Sequence, residues 1–106
     1  MTRKRKGNTK QIQRIARYEE MMQEAERMLN QETATEETRT KLPTFIHELE
    51  AYYGSDEWKQ DFADDEAGRL PKQLKRGVLS EDGIYNLLER YAAEEQEIDR
   101  KLTNPK

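Results

Sequence analysis

Apolar residues recur at three- and four-residue spacing over most of the chain, and that period predicts helices. Ile12, Ile15, Tyr18, Met22, Ala25 and Leu29 form one stripe, widened by Met21 and Met28. The stripe predicts a first helix over about 10–30 with Thr9 as its N-cap, roughly 31 Å long at 1.5 Å per residue. Glu19, Glu20, Glu24 and Glu26 interleave with Arg17 and Arg27 on its outer face. Asn30–Thr40 has no large apolar residue. Thr33 and Glu36 have capping-box spacing, so a second helix can start near Ala34 and be kinked by Pro43. The alternative is a fresh start with Pro43 at the first helical position. Leu42, Phe45, Ile46, Leu49, Tyr52 and Tyr53 then give a strong apolar face that stops at Gly54.

From Tyr52 to Tyr91 the pattern is denser. This stretch holds six of the eight aromatic residues and four of the five glycines. Ser55-Asp56-Glu57-Trp58 predicts a helix start, with a hydroxyl acceptor followed by acids in the positive first turn. Trp58 and Phe62 share a face, and Gly68 closes the helix. Arg69-Leu70-Pro71 predicts another turn of helix ending at Gly77. Ser80-Glu81-Asp82 predicts a last helix, presenting Ile84, Leu87, Leu88, Tyr91, Ala92, Ile98 and Leu102, with Gly83 allowing close packing near its start. No segment reads as a strand. The expected fold is all-α: a small helical bundle in which two long amphipathic helices, about 10–30 and 81–102, pack along each other, with a compact cap of short helices at one end. Residues 1–8 form a flexible basic arm, 9–102 a single helical domain and 103–106 a disordered tail.

Composition limits this picture. At 106 residues the chain is one domain at most; 33% of it is apolar and 39% charged, which leaves a thin core. Such a core supplies only a few kcal/mol, so docking to a partner or to itself is expected. The lack of cysteine excludes disulfides, thiolate metal sites and thiol nucleophiles. No apolar run approaches the roughly 18 residues of a membrane span, and the basic start is not followed by the apolar stretch of a secretory signal. A cytoplasmic protein is the expectation. Charge is blocked along the chain: residues 1–17 hold seven bases and no acid, 18–68 fifteen acids against four bases, 69–80 four bases and no acid, and 81–106 seven acids against four bases. Blocks of this kind point to electrostatic contacts within the fold, within an oligomer or with a polyanion.

Tyr52-Tyr53-Gly54-Ser55-Asp56-Glu57-Trp58, Asp61-Phe62 and Asp64-Asp65-Glu66-Ala67-Gly68 carry a resemblance, continued by Leu70-Pro71-Lys72 and by Leu74-Lys75-Arg76-Gly77-Val78-Leu79-Ser80-Glu81-Asp82-Gly83-Ile84-Tyr85. Together they resemble a small bacterial family, domain-of-unknown-function family 4298, from about Gln11 to about Tyr91 and most closely over 52–91. That family is small and helical, comes mostly from Gram-positive bacteria and their mobile elements, and has no assigned activity. The resemblance therefore implies a fold and no mechanism. The basic arm 2–6 and Pro43 depart from the family pattern.

Candidate chemistry is sparse. Asp61, Asp64, Asp65 and Glu66 lack the alternating ligands and central glycine of a Ca²⁺ loop. They read as a solvated acidic face, or as partners of the basic 69–76 segment across the turn at Gly68. His47, the only histidine, has Glu50 as its i+3 neighbour and reads as a surface or boundary residue. Tyr52, Tyr53 and Trp58 read as a core that closes a helix corner rather than as a platform for bases, with one of the adjacent tyrosines partly exposed. No catalytic residue, cofactor site or metal ligand is assigned. Arg3, Lys4, Arg5, Lys6, Lys10, Arg14 and Arg17 suit phosphate contacts of salt-dependent, sequence-independent affinity. They suit somewhat better a solvated tail that keeps the chain soluble or pairs with the acidic middle, because the chain as a whole is acidic. No motif for specific base readout accompanies them.

The expected function is a non-enzymatic helical protein–protein interaction module that self-associates. Met21, Met22, Met28, Tyr52, Tyr53 and Trp58 are the candidate partner surface, since methionine adapts to irregular surfaces. One alternative is a nucleic-acid-associated protein using the basic arm. Another is an acidic inhibitor carried by a mobile element, presenting 56–66 and 94–99 in place of phosphates to a nucleic-acid-binding enzyme. Neither a membrane nor a small-molecule ligand is expected.

Overall fold

The structure, a computed structural model, describes the backbone of residues 2–31 and 35–103 and the side chains of 9–31 and 35–95. Among these residues there are four α-helices, α1 (Thr2–Leu29), α2 (Glu36–Tyr53), α3 (Asp56–Glu66) and α4 (Glu81–Thr103), and one 3-10 turn, Gly77–Leu79. There is no strand among them. The all-α fold is as expected.

α1 is longer than the stripe predicts. Thr9 lies inside it rather than at its N-cap, because the helix runs back through the Lys- and Arg-rich start. Those residues are good helix formers, and the helical backbone tolerates Gly7 at a cost of about 1 kcal/mol. Its last carbonyls are met from outside: Arg90 of α4 donates to the Leu29 carbonyl at 3.0 Å and to Asn30 Oδ1 at 2.7 Å. A cation is favoured at that negative end.

α2 starts at Glu36, with Thr35 as N-cap accepting from the Thr38 N–H at 3.1 Å. The predicted start at Thr33 and Ala34 lies outside the described residues. Pro43 neither breaks the helix nor begins it. Its ring is exposed, while Leu42, Ile46, Leu49 and Tyr52 are buried on another face. Burial of that face outweighs the single donor that proline removes.

α3 is capped as its sequence predicts. Ser55 Oγ accepts from the Trp58 N–H at 3.1 Å and donates to the Tyr52 carbonyl at 2.6 Å. At its other end the Gly68 N–H bonds the Asp65 carbonyl at 3.0 Å and the Arg69 N–H bonds the Asp64 carbonyl at 2.9 Å, with Gly68 at φ +73°. This is a Schellman stop, which needs a left-handed residue. An added Cβ at Gly68 meets no atom within 4 Å. Gly68→Ala is therefore expected to cost only the left-handed penalty, roughly 1–2 kcal/mol, read as a lower urea midpoint with an unchanged m-value.

The predicted helix over 69–77 is absent. Leu70 and Leu74 have helical spacing, yet the chain there makes only a turn, Leu74 N–H to Pro71 carbonyl at 3.2 Å. Val78 and Leu79, adjacent in sequence, are both fully buried in the 3-10 turn that follows. Ser80 then starts α4, its Oγ accepting from the Gly83 N–H at 3.2 Å.

The helices pack on one core. α1 and α2 are antiparallel, in contact from Tyr18–Tyr52 at one end to Gln31–Thr38 at the other. α4 runs parallel to α1: a Cβ at Gly83 would sit 3.2 Å from Met22 Cε, and Arg90 reaches Leu29. The two long helices thus overlap over only part of their lengths, and α2 is the longer neighbour of α1. α3 and the 3-10 turn close the end of the hairpin where α2 stops. Residues 104–106, within the predicted tail, lie outside the described residues, whereas Thr103 is helical.

Candidate functional site

The most ordered polar arrangement is built around Asp61, which is 0% exposed. It sits on the Trp58 face of α3, three residues along, and so points inward with the tryptophan. Asp61 Oδ1 accepts from Gln11 Nε2 at 2.9 Å and from Arg14 Nη2 at 2.6 Å. Oδ2 accepts from Arg14 Nε at 3.0 Å and from the Tyr52 hydroxyl at 2.5 Å. A carboxylate offers about four acceptor positions, and all four are taken. The Asp61–Arg14 contact is bidentate, the stronger form of such pairs. Gln11 Nε2 also donates to Asp64 Oδ2 at 2.7 Å, and Asp64 Oδ1 accepts from Arg69 Nη1 at 2.7 Å. Three helices are joined at this point. Asp61 is therefore not part of a solvated acidic face. Asp64 and Asp65 do reach the basic segment as predicted, Asp65 through Arg76 at 3.3 Å.

Electrostatics follow from this geometry. The Asp61 hydrogen bonds hold the Arg14 guanidinium above its ordinary range. The Gln11 amide, then Arg69 and Gln60, hold the Asp64 carboxyl below its ordinary range. Burial, and then the Asp61 acceptor, push the Tyr52 hydroxyl well above the ordinary tyrosine range. The folded protein keeps that proton at a pH where the unfolded chain has lost it, above about 10. The stabilisation is complete below that pH and is lost as pH rises through the folded value. Tyr52→Phe is expected to make unfolding less steeply dependent on alkaline pH, by urea midpoints measured between about pH 9 and pH 11. An identical alkaline slope in both proteins would contradict this, since their other titrating groups are shared.

An aromatic column continues from the cluster. Tyr52 stacks on Tyr18 at 4.0 Å between centroids and 3° between planes, and the Arg17 guanidinium lies 5.4 Å from the Tyr18 centroid. Trp58 stacks on Phe62 at 5.1 Å and meets Tyr53 edge-on at 5.0 Å. Trp58 Nε1 donates to the Val78 carbonyl at 3.0 Å, while the Val78 N–H donates to Glu19 Oε1 at 2.8 Å. Both backbone groups of Val78 are thus held by side chains from two different helices.

The family of folds to which this arrangement belongs is decided by a match over most of the chain. The model of a family described as a domain of unknown function (DUF4298) matches residues 15–98. The chain belongs to that family. No curated protein and no solved structure matches it. In this DUF4298 chain the match takes in Tyr52, Asp61 and Trp58, while Gln11 and Arg14 precede it.

The predicted site residues divide as follows. Arg14 is committed to Asp61 and is not free for phosphate. Lys10 and Arg17 are exposed, Arg17 lying 3.8 Å from Glu48. The side chains of Arg3, Lys4, Arg5 and Lys6 lie outside the described residues. Met22, Met28, Tyr52 and Trp58 are buried in the core, so they cannot form an external partner surface in the folded chain; Met21 and Tyr53 remain half-exposed. Met21 lines an open groove between α1 and α2 with Phe45, between Arg17, Glu20, Glu24, Glu37 and Lys41. His47 is exposed. Among the described residues no three His, Cys, Asp or Glu side chains form a metal-binding group, and no helix is long and apolar enough to cross a membrane. Sequence reasoning missed Gln11, Glu19 and the role of Asp61. For Asp61 the signal was present in its spacing from Trp58 and Phe62.

Proposed function

We propose that this protein is a non-enzymatic helical interaction module that associates with copies of itself. The observation that carries this reading is the extension of the long helices past the core. Among the residues whose side chains are described, the buried positions of α1 run from Gln11 to Met28 and those of α4 end at Leu87, whereas the helical backbone extends to Thr2 and Thr103. The Cα radius of gyration is 16.4 Å, against about 13 Å for a compact chain near 100 residues. A helix in a protein gains its stability chiefly from tertiary packing, and a second chain supplies such packing. The saturated Asp61 cluster supports the non-enzymatic part, because each of its acceptor positions already serves an internal partner. Sedimentation velocity across a wide concentration range tests the reading. A mass that rises from monomer to a defined oligomer is expected; a monomer throughout would refute self-association.

A further inference from the structure

We infer that two copies pair antiparallel, the basic half of α1 in each lying along the acidic half of α4 in the other. This rests on the self-association proposed above and specifies its surface and geometry. Residues 2–17 of α1 hold seven bases and no acid, and one of the seven, Arg14, is occupied by Asp61. From Glu89 to Asp99, α4 holds five acids, and its one base there, Arg90, is occupied at the end of α1. Lys10 and Arg17 on the first helix and Glu94 and Glu95 on the second are exposed.

The two charged halves cannot meet within one chain. Gly83 faces Met22 and Arg90 reaches Leu29, so α1 and α4 are parallel with a fixed offset. The basic half therefore lies toward one end of the body and the acidic half toward the other. At 1.5 Å per residue their centres lie about 35 Å apart along the helices. That is several times the screening length of about 8 Å at physiological ionic strength. Each half meets its opposite only on another molecule. The body is 65 × 21 × 18 Å, so its ends are well separated. A two-fold axis across the long direction brings the basic half of each copy beside the acidic half of the other and satisfies both pairs in a closed dimer. Like-charged ends oppose a parallel arrangement.

The test uses the full chain and two charge-reversed forms. Arg3→Glu/Lys4→Glu/Arg5→Glu/Lys6→Glu/Lys10→Glu makes both ends acidic, and Glu94→Lys/Glu95→Lys/Glu97→Lys makes both basic. Circular dichroism melts establish that each still folds. The parent is expected to dimerise with an affinity that falls about tenfold or more from low to high salt. Each reversed form alone is expected to sediment as a monomer, and an equimolar mixture to restore a one-to-one heterodimer. A misfolded variant would not be rescued in this way. A dimer that ignores salt and both reversals would overturn the pairing while leaving self-association intact. A parent that stays monomeric would overturn both. Species that keep growing beyond a dimer would overturn the closed antiparallel geometry. So would a monomeric parent that binds short duplex DNA and loses that binding in the α1 variant, which would assign the basic half to a polyanion.

Discussion

Asp61→Ala is expected to cost about 3 kcal/mol or more, because it leaves the Arg14 charge without its buried partner. The Tyr52 hydroxyl and one Gln11 proton lose their acceptor at the same time. In a small domain of roughly 5–15 kcal/mol total stability this is a large fraction. Unfolding temperature should fall by roughly 12–24 °C, at about 4–8 °C per kcal/mol for a domain near this size. The loss is set by the unpaired donors more than by the cavity. Asp61→Asn keeps the volume, yet it turns an NH₂ donor toward Arg14 or Tyr52 and should retain most of the cost. Asp61→Leu with Arg14→Met removes both charges and should recover much of it. Trp58, the only tryptophan, packs beside Asp61 on α3 and reports unfolding by its fluorescence. If Asp61→Asn unfolded within a few tenths of a kcal/mol of the parent, the charge network would not be what holds these helices together.

The same cluster shows where sequence reading stops. Caps were legible: Ser55, Ser80 and Gly68 each act on backbone groups within three or four residues, so the chemistry is local. Pro43 was ambiguous because helix propensity argues against it, while the deciding term is burial of Leu42, Ile46 and Leu49 on another face. Leu70 and Leu74 have helical spacing yet reach the core from an irregular segment, since spacing alone does not fix the backbone between them. Asp61 stood among acids that resemble a solvated face, and Arg14 lies 47 residues away. Nothing local pairs them. The inward face of α3 was readable from Trp58 and Phe62, and Asp61 falls on it. A buried carboxylate needs a cationic partner, but which of the bases in 1–17 supplies it depends on how α1 crosses α3. The basic run drew attention as one candidate surface for phosphates; folding divides it, with Arg14 turned inward and Lys10 and Arg17 left outside.

Trp58→Ala is expected to cost roughly 3–5 kcal/mol, the range for deleting a large buried aromatic side chain. It removes the stack on Phe62 and the edge contact with Tyr53. It also strips the Val78 carbonyl of its donor. Trp58→Phe separates these effects. Phenylalanine keeps most of the apolar surface but lacks the indole N–H, so it leaves one buried carbonyl unpaired at about 1–3 kcal/mol. The location of the damage is the sharper readout. The 3-10 turn is held from below by Trp58 and from the side by Glu19, and α4 begins immediately after it. In Trp58→Phe, hydrogen exchange should quicken first at Val78–Ile84, ahead of the amides of α1 and α2, because local opening starts where buried contacts are fewest. Uniform acceleration along the chain would mean that the bond to Val78 does not govern the turn. Selective acceleration would mean that a single indole N–H sets the angle at which α4 leaves the core, and with it where the acidic half of that helix is carried.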